Sequence, residues 1–435
     1  MYVEIMSLSL SSYKGTRDIY PEDMRLRQYI FNTWRSVVES YGYEEYDAPT
    51  LEPLELYAAK SGEEIVNEQT YTFTDRGDRK VAIRPEMTPS IARMVAARRQ
   101  ELPYPARLYS ISNFMRYERP QKGREREFWQ LNVDIFGVSD VEADTEIISL
   151  SDKILKAFGA TPEMYTIRIN DRQLINYIMR DYLGLNDKQA LFMIKLFDRR
   201  GKISQENFNA QATEIFGENN ATDGIAKIAE LLNMNSINSV PNTIKDSGQM
   251  NNIFSVISSL KDLGIDAKFD VTLMRGFDYY TGTVFEVFDN SPENNRAMFG
   301  GGRYDGLIGL FGVDDLSVVG VAPGETTMTE FLRAWDLIPE LKPATDLCLI
   351  ALTIGAEKVA DELRGGGLNV AIDFTKRKID KQIKSAVKMN VPYLLFVGED
   401  EIASGQYNLK NVSTGEEERL SISEIINTIT KWEDK

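Results

Sequence analysis

The chain has 435 residues, 43% of them hydrophobic and 27% charged, which is a length for two or three soluble domains with ample core. Its net charge of −16 excludes a whole-molecule positive field that would gather nucleic acid indiscriminately, although local patches survive because charges are screened beyond about 8 Å. With no histidine and a single cysteine, Cys348, it excludes a histidine base, a Ser–His or Cys–His nucleophile, a histidine-ligated metal, a cysteine zinc site and an intrachain disulfide.

The first six residues carry an acid, Glu4, and no basic cluster, and no run approaches the roughly 18 apolar residues of a membrane span. A cytoplasmic protein without a signal peptide is expected. Over about 22–41, Ile30, Phe31, Trp34, Val37 and Val38 recur at helical spacing. Pro21, Glu22 and Asp23 stand at the start and Gly42 past the end, which predicts an amphipathic helix. A short strand over 43–48 ends at Pro49. Residues 71–73 and 80–83 flank the turn Asp75-Arg76-Gly77-Asp78, a hairpin signal. Arg84-Pro85-Glu86-Met87-Thr88-Pro89 then leads to a helix over 90–99, whose start suits an anionic group.

Strands near 107–111 and 130–136 bracket a run from Phe114 to Gln130 that holds Arg116, Arg119, Arg124 and Arg126, with Lys122 and a Pro120…Gly123 turn. A guanidinium is always charged and offers a rigid fork of donors matched to phosphate oxygens. Several on one hairpin, with an aromatic at its base, suit a triphosphate and a flat base. An isolated charged hairpin is ordinarily a solvated loop, so its neighbours must decide. Residues 170–262 read as an inserted polar helical subdomain, after which strands resume at 267–271 and 279–288. The mixture predicts an α+β sheet domain.

A boundary near 339–345 precedes strand–helix alternation: strands at 346–352, 369–374 and 392–397, helices at 356–364 and 379–389. That is a small α/β domain with a parallel-leaning sheet. Cys348 falls in its apolar run Leu347-Cys348-Leu349-Ile350 and reads as a small core residue. Arg377, just before the second helix, and Lys381, Lys384 and Lys388 on it stand at spacings of four, three and four and so share one face, a face that simple solubility would also explain.

Two further clusters stand out. Arg275-Gly276-Phe277-Asp278-Tyr279-Tyr280-Thr281-Gly282 joins a cation to paired tyrosine hydroxyls, between glycines that let a ligand approach the backbone. Phe299-Gly300-Gly301-Gly302-Arg303-Tyr304 is too glycine-rich for a strand interior without a reason, and close approach of a ligand is the expected one. It is not a phosphate-binding P-loop, since no Gly-Lys-Ser or Gly-Lys-Thr ends it.

Arg116-Tyr117-Glu118-Arg119-Pro120 with Phe128-Trp129-Gln130 resembles motif 2 of class II aminoacyl-tRNA synthetases. Arg275 to Gly282 resembles the histidine-binding signature of the histidyl-tRNA synthetases. Arg84 to Thr88 and Gly301 to Leu307 are similar to two more segments of that family, and the C-terminal part resembles its anticodon-binding domain. The resemblance spans essentially the whole chain, in order. It implies a class II antiparallel-sheet catalytic domain over 1–340 with the helical insertion at 170–262, and an anticodon-binding domain over 345–435. The implied activity is activation of histidine with ATP and Mg²⁺, then transfer to the 3′ end of tRNA(His), by a homodimer joined through the 22–41 helix and the strand ending at Pro49.

Carried over residue by residue, the resemblance makes Arg275 and Arg116 the catalytic cations on the α-phosphate. Glu118, Arg124 and Arg126 would hold the adenine end, the outer phosphates or the acceptor end of tRNA, with Phe128 stacked on the base. Glu86, Thr88 and Gln130 would take the α-ammonium group; Asp134 and Tyr280 would bond the imidazole, with Tyr279, Gly302 and Tyr304 completing the pocket. Arg377, Lys381 and Lys384 would meet tRNA. Protein side chains offer no metal site of their own. Three departures stand out: Asp134 where glutamate is expected, Trp129 where histidine is, and no arginine in Val319 to Thr327 where motif 3 normally ends in one. Either another cation holds the γ-phosphate, Mg²⁺ or a hairpin arginine, or ATP binding is impaired. The last option belongs to a silent synthetase-like regulatory subunit of ATP phosphoribosyltransferase, which however lacks the C-terminal domain and tends to lose the Arg-Gly that stands here at Arg275-Gly276. A glycyl, prolyl or threonyl synthetase would not account for Asp278-Tyr279-Tyr280.

Overall fold

The computed structural model describes residues 9–58, 68–200, 203–234, 237–274, 279–294, 296–375 and 377–433. Arg275, Gly276, Phe277 and Asp278 lie outside the described residues. One unit takes in the chain up to Asp18 with Arg27–Ile338; the other takes Ile19–Leu26 with the chain from Pro339 onward.

The expected first helix is α1 (Pro21–Ser40), on which Ile30, Trp34 and Val38 are fully buried. Beyond β1 (Glu44–Glu45), the strand β2 (Leu51–Pro53), the short helix α2 (Leu54–Ala58) and the hairpin of β3 (Thr72–Thr74) and β4 (Lys80–Ile83) follow. They make a small antiparallel sheet in the order β2-β4-β3. Helix α3 (Thr88–Ala97) starts on Pro89, whose missing N–H costs nothing there. Strands β5 (Ala106–Met115) and β6 (Glu127–Phe136) are longer than expected. They pair antiparallel rung for rung, Ala106 with Phe136 through Met115 with Glu127, so the arginine run is the tip of this long hairpin.

Helix α4 (Val141–Ala157) and strand β7 (Tyr165–Asp171) come next, neither marked in the sequence reading. The insertion then runs through α5 (Arg172–Tyr177), α6 (Asp187–Asp198), α7 (Gln205–Phe216), α8 (Ala221–Leu232), α9 (Asn242–Lys245) and α10 (Asn251–Asp262). Side-chain caps start α5 and α6: the Asp171 carboxylate accepts from the Gln173 amide at 2.7 Å, and Asn186 forms a capping box with Gln189. Leu174, Met193, Phe208 and Leu231 build a core of its own, which Val271, Met274 and Val284 join from the sheet side. Helix α10 turns back onto α4, β7 and the next strand, β8 (Ala267–Phe269).

With β9 (Thr283–Asp289), β10 (Ala297–Arg303) and β11 (Val318–Val321), the main sheet has eight strands in the order β1-β5-β6-β11-β10-β9-β7-β8. Only its outer pairs, β1–β5 and β7–β8, are parallel. Helix α11 (Glu325–Ala334) follows β11. The glycine cluster sits in the interior of this sheet, between β9 and β11. A Cβ on Gly301 would collide with the Gly320 carbonyl, and one on Gly300 would lie 2.7 Å from the Phe285 carbonyl. The strands' own close approach therefore accounts for part of the glycine content.

The second unit's five-stranded sheet has the order β13-β12-β14-β15-β16. Its strands are β12 (Leu347–Ala351), β13 (Val370–Asp373), β14 (Tyr393–Val397), β15 (Tyr407–Asn411) and β16 (Glu417–Leu420). The first three are parallel and the last two antiparallel. Its helices are α12 (Ala356–Gly365), α13 (Ile379–Lys388), α14 (Glu399–Ser404) and α15 (Ile422–Glu433). Leu347 and Leu349 join one core with α12 and α15. Cys348 and Ile350 join another with Ala386 of α13. A strand buried on both faces has no polar alternation, which is why this run is continuously apolar.

Candidate active site

Side chains two apart on a strand share a face. On β6 that rule brings Phe128, Gln130, Asn132 and Asp134 to the floor of one cleft of about 430 Å³. Residues of β9, β10 and β11 form the far side, with Glu86 and Thr88 entering from the start of α3 and Gly324, Thr326 and Thr327 from the start of α11. The loop carrying Glu86 is braced by Arg84, which is buried. Its guanidinium donates to the Ala48 carbonyl at 2.6 Å, the Asp47 carboxylate at 3.0 Å and the Asn113 carbonyl at 2.9 Å.

The cleft has a buried end. Glu86, Asp134, Tyr279 and Tyr304 are all at most 5% exposed. The Tyr304 hydroxyl donates a short hydrogen bond to Asp134, and the Tyr279 hydroxyl donates to Glu86 at 3.3 Å. The rings of Tyr279 and Tyr280 meet edge-on at 5.2 Å, those of Tyr279 and Tyr304 at 5.6 Å. Burial pushes the Asp134 carboxyl up to about 7 from its ordinary 3.8, against the hydrogen bond from Tyr304, which pulls it down. Burial likewise raises the Tyr280 hydroxyl, reinforced by the Glu86 and Glu286 carboxylates. Acceptors and hydroxyls so placed can hold a small polar ring and a cationic group away from water. The room for Asp134 comes from Gly320, its partner on β11: a Cβ there would run into the aspartate's Oδ1.

The hairpin end is built of charge. Arg116 is anchored by a 2.9 Å bond from Nε to the Pro85 carbonyl and sits 5.2 Å from the centre of the Phe128 ring. Glu118 faces both Arg116, at 4.0 Å, and Arg124, at 3.1 Å. Phe128 lies against Phe114 with its own side open to the cleft, so an aromatic face and two guanidiniums stand together.

Of the site residues expected from sequence, Arg116, Glu118, Arg124, Phe128, Glu86, Thr88, Gln130, Asp134, Tyr279, Tyr280 and Tyr304 line this cleft. Arg126 and Gly302 do not, and Arg275 lies outside the described residues. Arg126 would face the cleft if the alternation of β6 continued, but the regular pairing ends at Glu127. Instead the Arg126 amide donates to the Gly15 carbonyl at 2.7 Å. Its guanidinium stacks 4.1 Å from the centre of the Tyr117 ring and donates to the Tyr13 hydroxyl at 3.0 Å. It lines a second cavity, about 390 Å³, with Lys14 and Arg119. Gly302 gives space to the strand and the ring behind it: a Cβ would clash with the Thr283 carbonyl and touch the Tyr280 ring at 3.0 Å.

Asn132 lines the cleft unannounced, although the spacing between Gln130 and Asp134 points to it. The start of α11, where the family resemblance implies an arginine, presents Thr326 and Thr327 to the cleft, and the Thr326 hydroxyl is buried without a hydrogen-bond partner. Arg303 is scaffolding, buried and bonded to Asp144 at 2.5 Å and to the Val138 and Asp140 carbonyls. Among the described residues no group of three or more acidic or cysteine side chains is placed to hold a metal. In the second unit Lys381 and Lys384 are exposed opposite buried Gln382 and Ala386, while Arg377 is tied to Asp373 at 2.9 Å. No helix among the described residues is long and apolar enough to cross a membrane.

The chain is similar to known proteins along nearly its whole length. Residues 15–322 match the family profile "Histidyl-tRNA synthetase" and residues 347–432 match "Anticodon binding domain". The chain is 43% identical over 429 residues to a histidine–tRNA ligase of Leptospira biflexa, covering 97% of this chain and 98% of that one. It is 37% identical over 430 residues to one from Thermoplasma volcanium, covering 98% and 99%. Its fold is similar to the crystal structure of a histidyl-tRNA synthetase from Nostoc sp. PCC 7120, with a TM-score of 0.80 at 23% identity over 98% of this chain and 99% of that one.

Proposed function

The chain belongs to the histidyl-tRNA synthetase family, and we infer that it acts as a histidine–tRNA ligase through the cleft on its main sheet. It activates histidine with ATP and transfers the histidyl group to tRNA. The observation that best supports placing both steps in this cleft is its composition: buried acceptors and hydroxyls at one end, an aromatic face with anchored guanidiniums at the other.

Adenine stacks on Phe128, and Arg116 meets the α-phosphate, joined there by Arg275 on the strength of the sequence motif alone. The histidine carboxylate attacks the α-phosphorus, pyrophosphate leaves, and the guanidiniums stabilise the charge that gathers on the phosphoryl oxygens. Glu86, Thr88 and Gln130 receive the ammonium group, while Asp134 and Tyr280 bond the imidazole, with Tyr304 orienting Asp134. A side chain without two ring nitrogens would leave those buried groups unpaired, which is the source of selection for histidine. Glu118 and Arg124 serve the outer phosphates or the acceptor end of tRNA. Mg²⁺ suits the site as a partner of the triphosphate: the hairpin end offers the Glu118 carboxylate, and this ion commonly binds through one or two carboxylates plus phosphates. Lys381, Lys384 and Arg377 meet the tRNA, α1 and the strand beyond it join two copies, and the reaction takes place in the cytoplasm.

One observation favours the regulatory-subunit reading: threonines stand where motif 3 expects its arginine. Against it stand the C-terminal domain over 347–432 and the intact Arg275-Gly276. Histidine-dependent exchange of pyrophosphate into ATP tests the choice; a folded protein that binds histidine and exchanges nothing would be the regulator.

A further inference from the structure

Two walls of the hairpin end, the β5–β6 hairpin and the start of α11, are joined by a residue that does not itself line the cleft. Arg17 donates through Nε to Glu125 on the hairpin at 3.0 Å and through Nη2 to both oxygens of Glu325 on α11, at 3.0 and 2.8 Å. Arg27 approaches the same Glu325 carboxylate at 3.7 Å, above the Trp129 ring. Two guanidiniums thus balance two carboxylates, of which Glu325 is almost fully buried and Glu125 lines the cleft. Burial lifts the Glu125 pKa, Arg17 draws it down, and Glu325 lifts it again.

The residues just before Arg17 are pinned to the same hairpin. Gly15 accepts from the Arg126 amide, and Tyr13 covers and hydrogen-bonds the Arg126 guanidinium. Gly15 has φ +87°, and a Cβ there would lie 2.8 Å from the Arg126 side chain and 2.9 Å from Pro120. Only glycine lets the strap lie so close.

We propose that Arg17 is a positioning residue for the nucleotide: by bridging Glu125 to Glu325 it fixes the hairpin against α11 and neutralises the carboxylate that Glu125 presents to the triphosphate. This rests on reading the hairpin end as the ATP site. The alternative, a purely structural pair, would leave substrate affinities equal or lower both together. Without Arg17 an unbalanced carboxylate faces a polyanion and the two walls lose their common anchor, so ATP suffers and histidine, held at the buried end, does not.

The test is titration calorimetry of ATP and, separately, of histidine onto the full-length protein, with exchange kinetics alongside. Arg17→Ala weakens ATP by about tenfold, the scale of one lost charge-assisted contact, and leaves histidine within about twofold. Arg17→Lys keeps the charge but can reach only one carboxylate well, and gives an intermediate loss of about threefold. Unchanged ATP affinity in Arg17→Ala, or an equal loss for both ligands, overturns the proposal; if that variant does not fold, wild-type ATP affinity in Arg17→Lys does so. Wild-type protein that binds ATP but shows no histidine-dependent exchange would sink the activity assigned above while leaving the role of Arg17 to be read from the binding data.

Discussion

At its buried end the cleft is walled by strand and loop residues already satisfied by one another, Tyr304 on Asp134 and Tyr279 on Glu86, with little access to water. At its hairpin end the walls are ionic: Glu118 between Arg116 and Arg124, and Arg17 between Glu125 and Glu325. The difference matches what each end must recognise. Discrimination among amino acids needs groups that are costly to leave unpaired, and burial makes them so. A triphosphate is the same in every such reaction, and charges that can exchange their present partners for phosphate oxygens can hold it.

The largest effect that would sharpen this contrast comes from Arg116, which lines the cleft with its guanidinium anchored to the Pro85 carbonyl. Arg116→Ala is expected to lower the turnover number for adenylation by about a thousandfold, the loss typical of a group that meets transition-state charge. Histidine affinity, measured by calorimetry, should change little; a loss concentrated in histidine binding instead would place Arg116 at the wrong end.

Next comes Asp134→Asn, which removes the titrating group and keeps its shape. Because burial raises the Asp134 carboxyl to about 7 from 3.8, the folded protein binds a proton there that the unfolded chain releases. The stability it contributes is whole below about pH 4 and is lost as pH rises through 7. The variant should therefore melt higher than wild type at pH 8, by roughly a few degrees, and equally at pH 4. Its histidine KM should rise by roughly tenfold or more at pH 8. In the wild type, near pH 6 both the carboxyl and the free imidazole are largely protonated and pairing them sheds a proton, whereas near pH 8 both are largely deprotonated and pairing takes one up, so histidine binding is tightest close to pH 7 and weakens on either side. That trend should flatten in the variant. A wild-type KM independent of pH between 6 and 8 would contradict the placement of Asp134 against the ring.

The smallest effect belongs to Arg124, whose side chain is half exposed. Arg124→Ala should raise the ATP KM by about threefold at low salt, and the difference should shrink at high ionic strength. A large, salt-insensitive loss would mean that this end is as desolvated as the other.

Much of this was legible from local patterns. The helix α1 follows from the spacing of Ile30, Trp34 and Val38, and the second unit from its strand–helix alternation. Most of the cleft floor follows from residues two apart on β6. Strand β7 also carries a readable alternation, Tyr165, Ile167 and Ile169, overshadowed by the polar helices that follow. Other features depend on partners distant in sequence. Arg126 turns away because pairing stops one residue after it, and no local rule announces that. The glycines of β10 answer partly to the carbonyls of β9 and β11. Arg17 meets Glu325 across 308 residues, which no window of sequence spans.

The central claim, that the buried end selects histidine for adenylation at the hairpin end, is tested most directly by pyrophosphate exchange into ATP across a panel of amino acids. The account predicts exchange with histidine and close to none with the others. No exchange with histidine, or comparable exchange with amino acids that lack an imidazole, would contradict it.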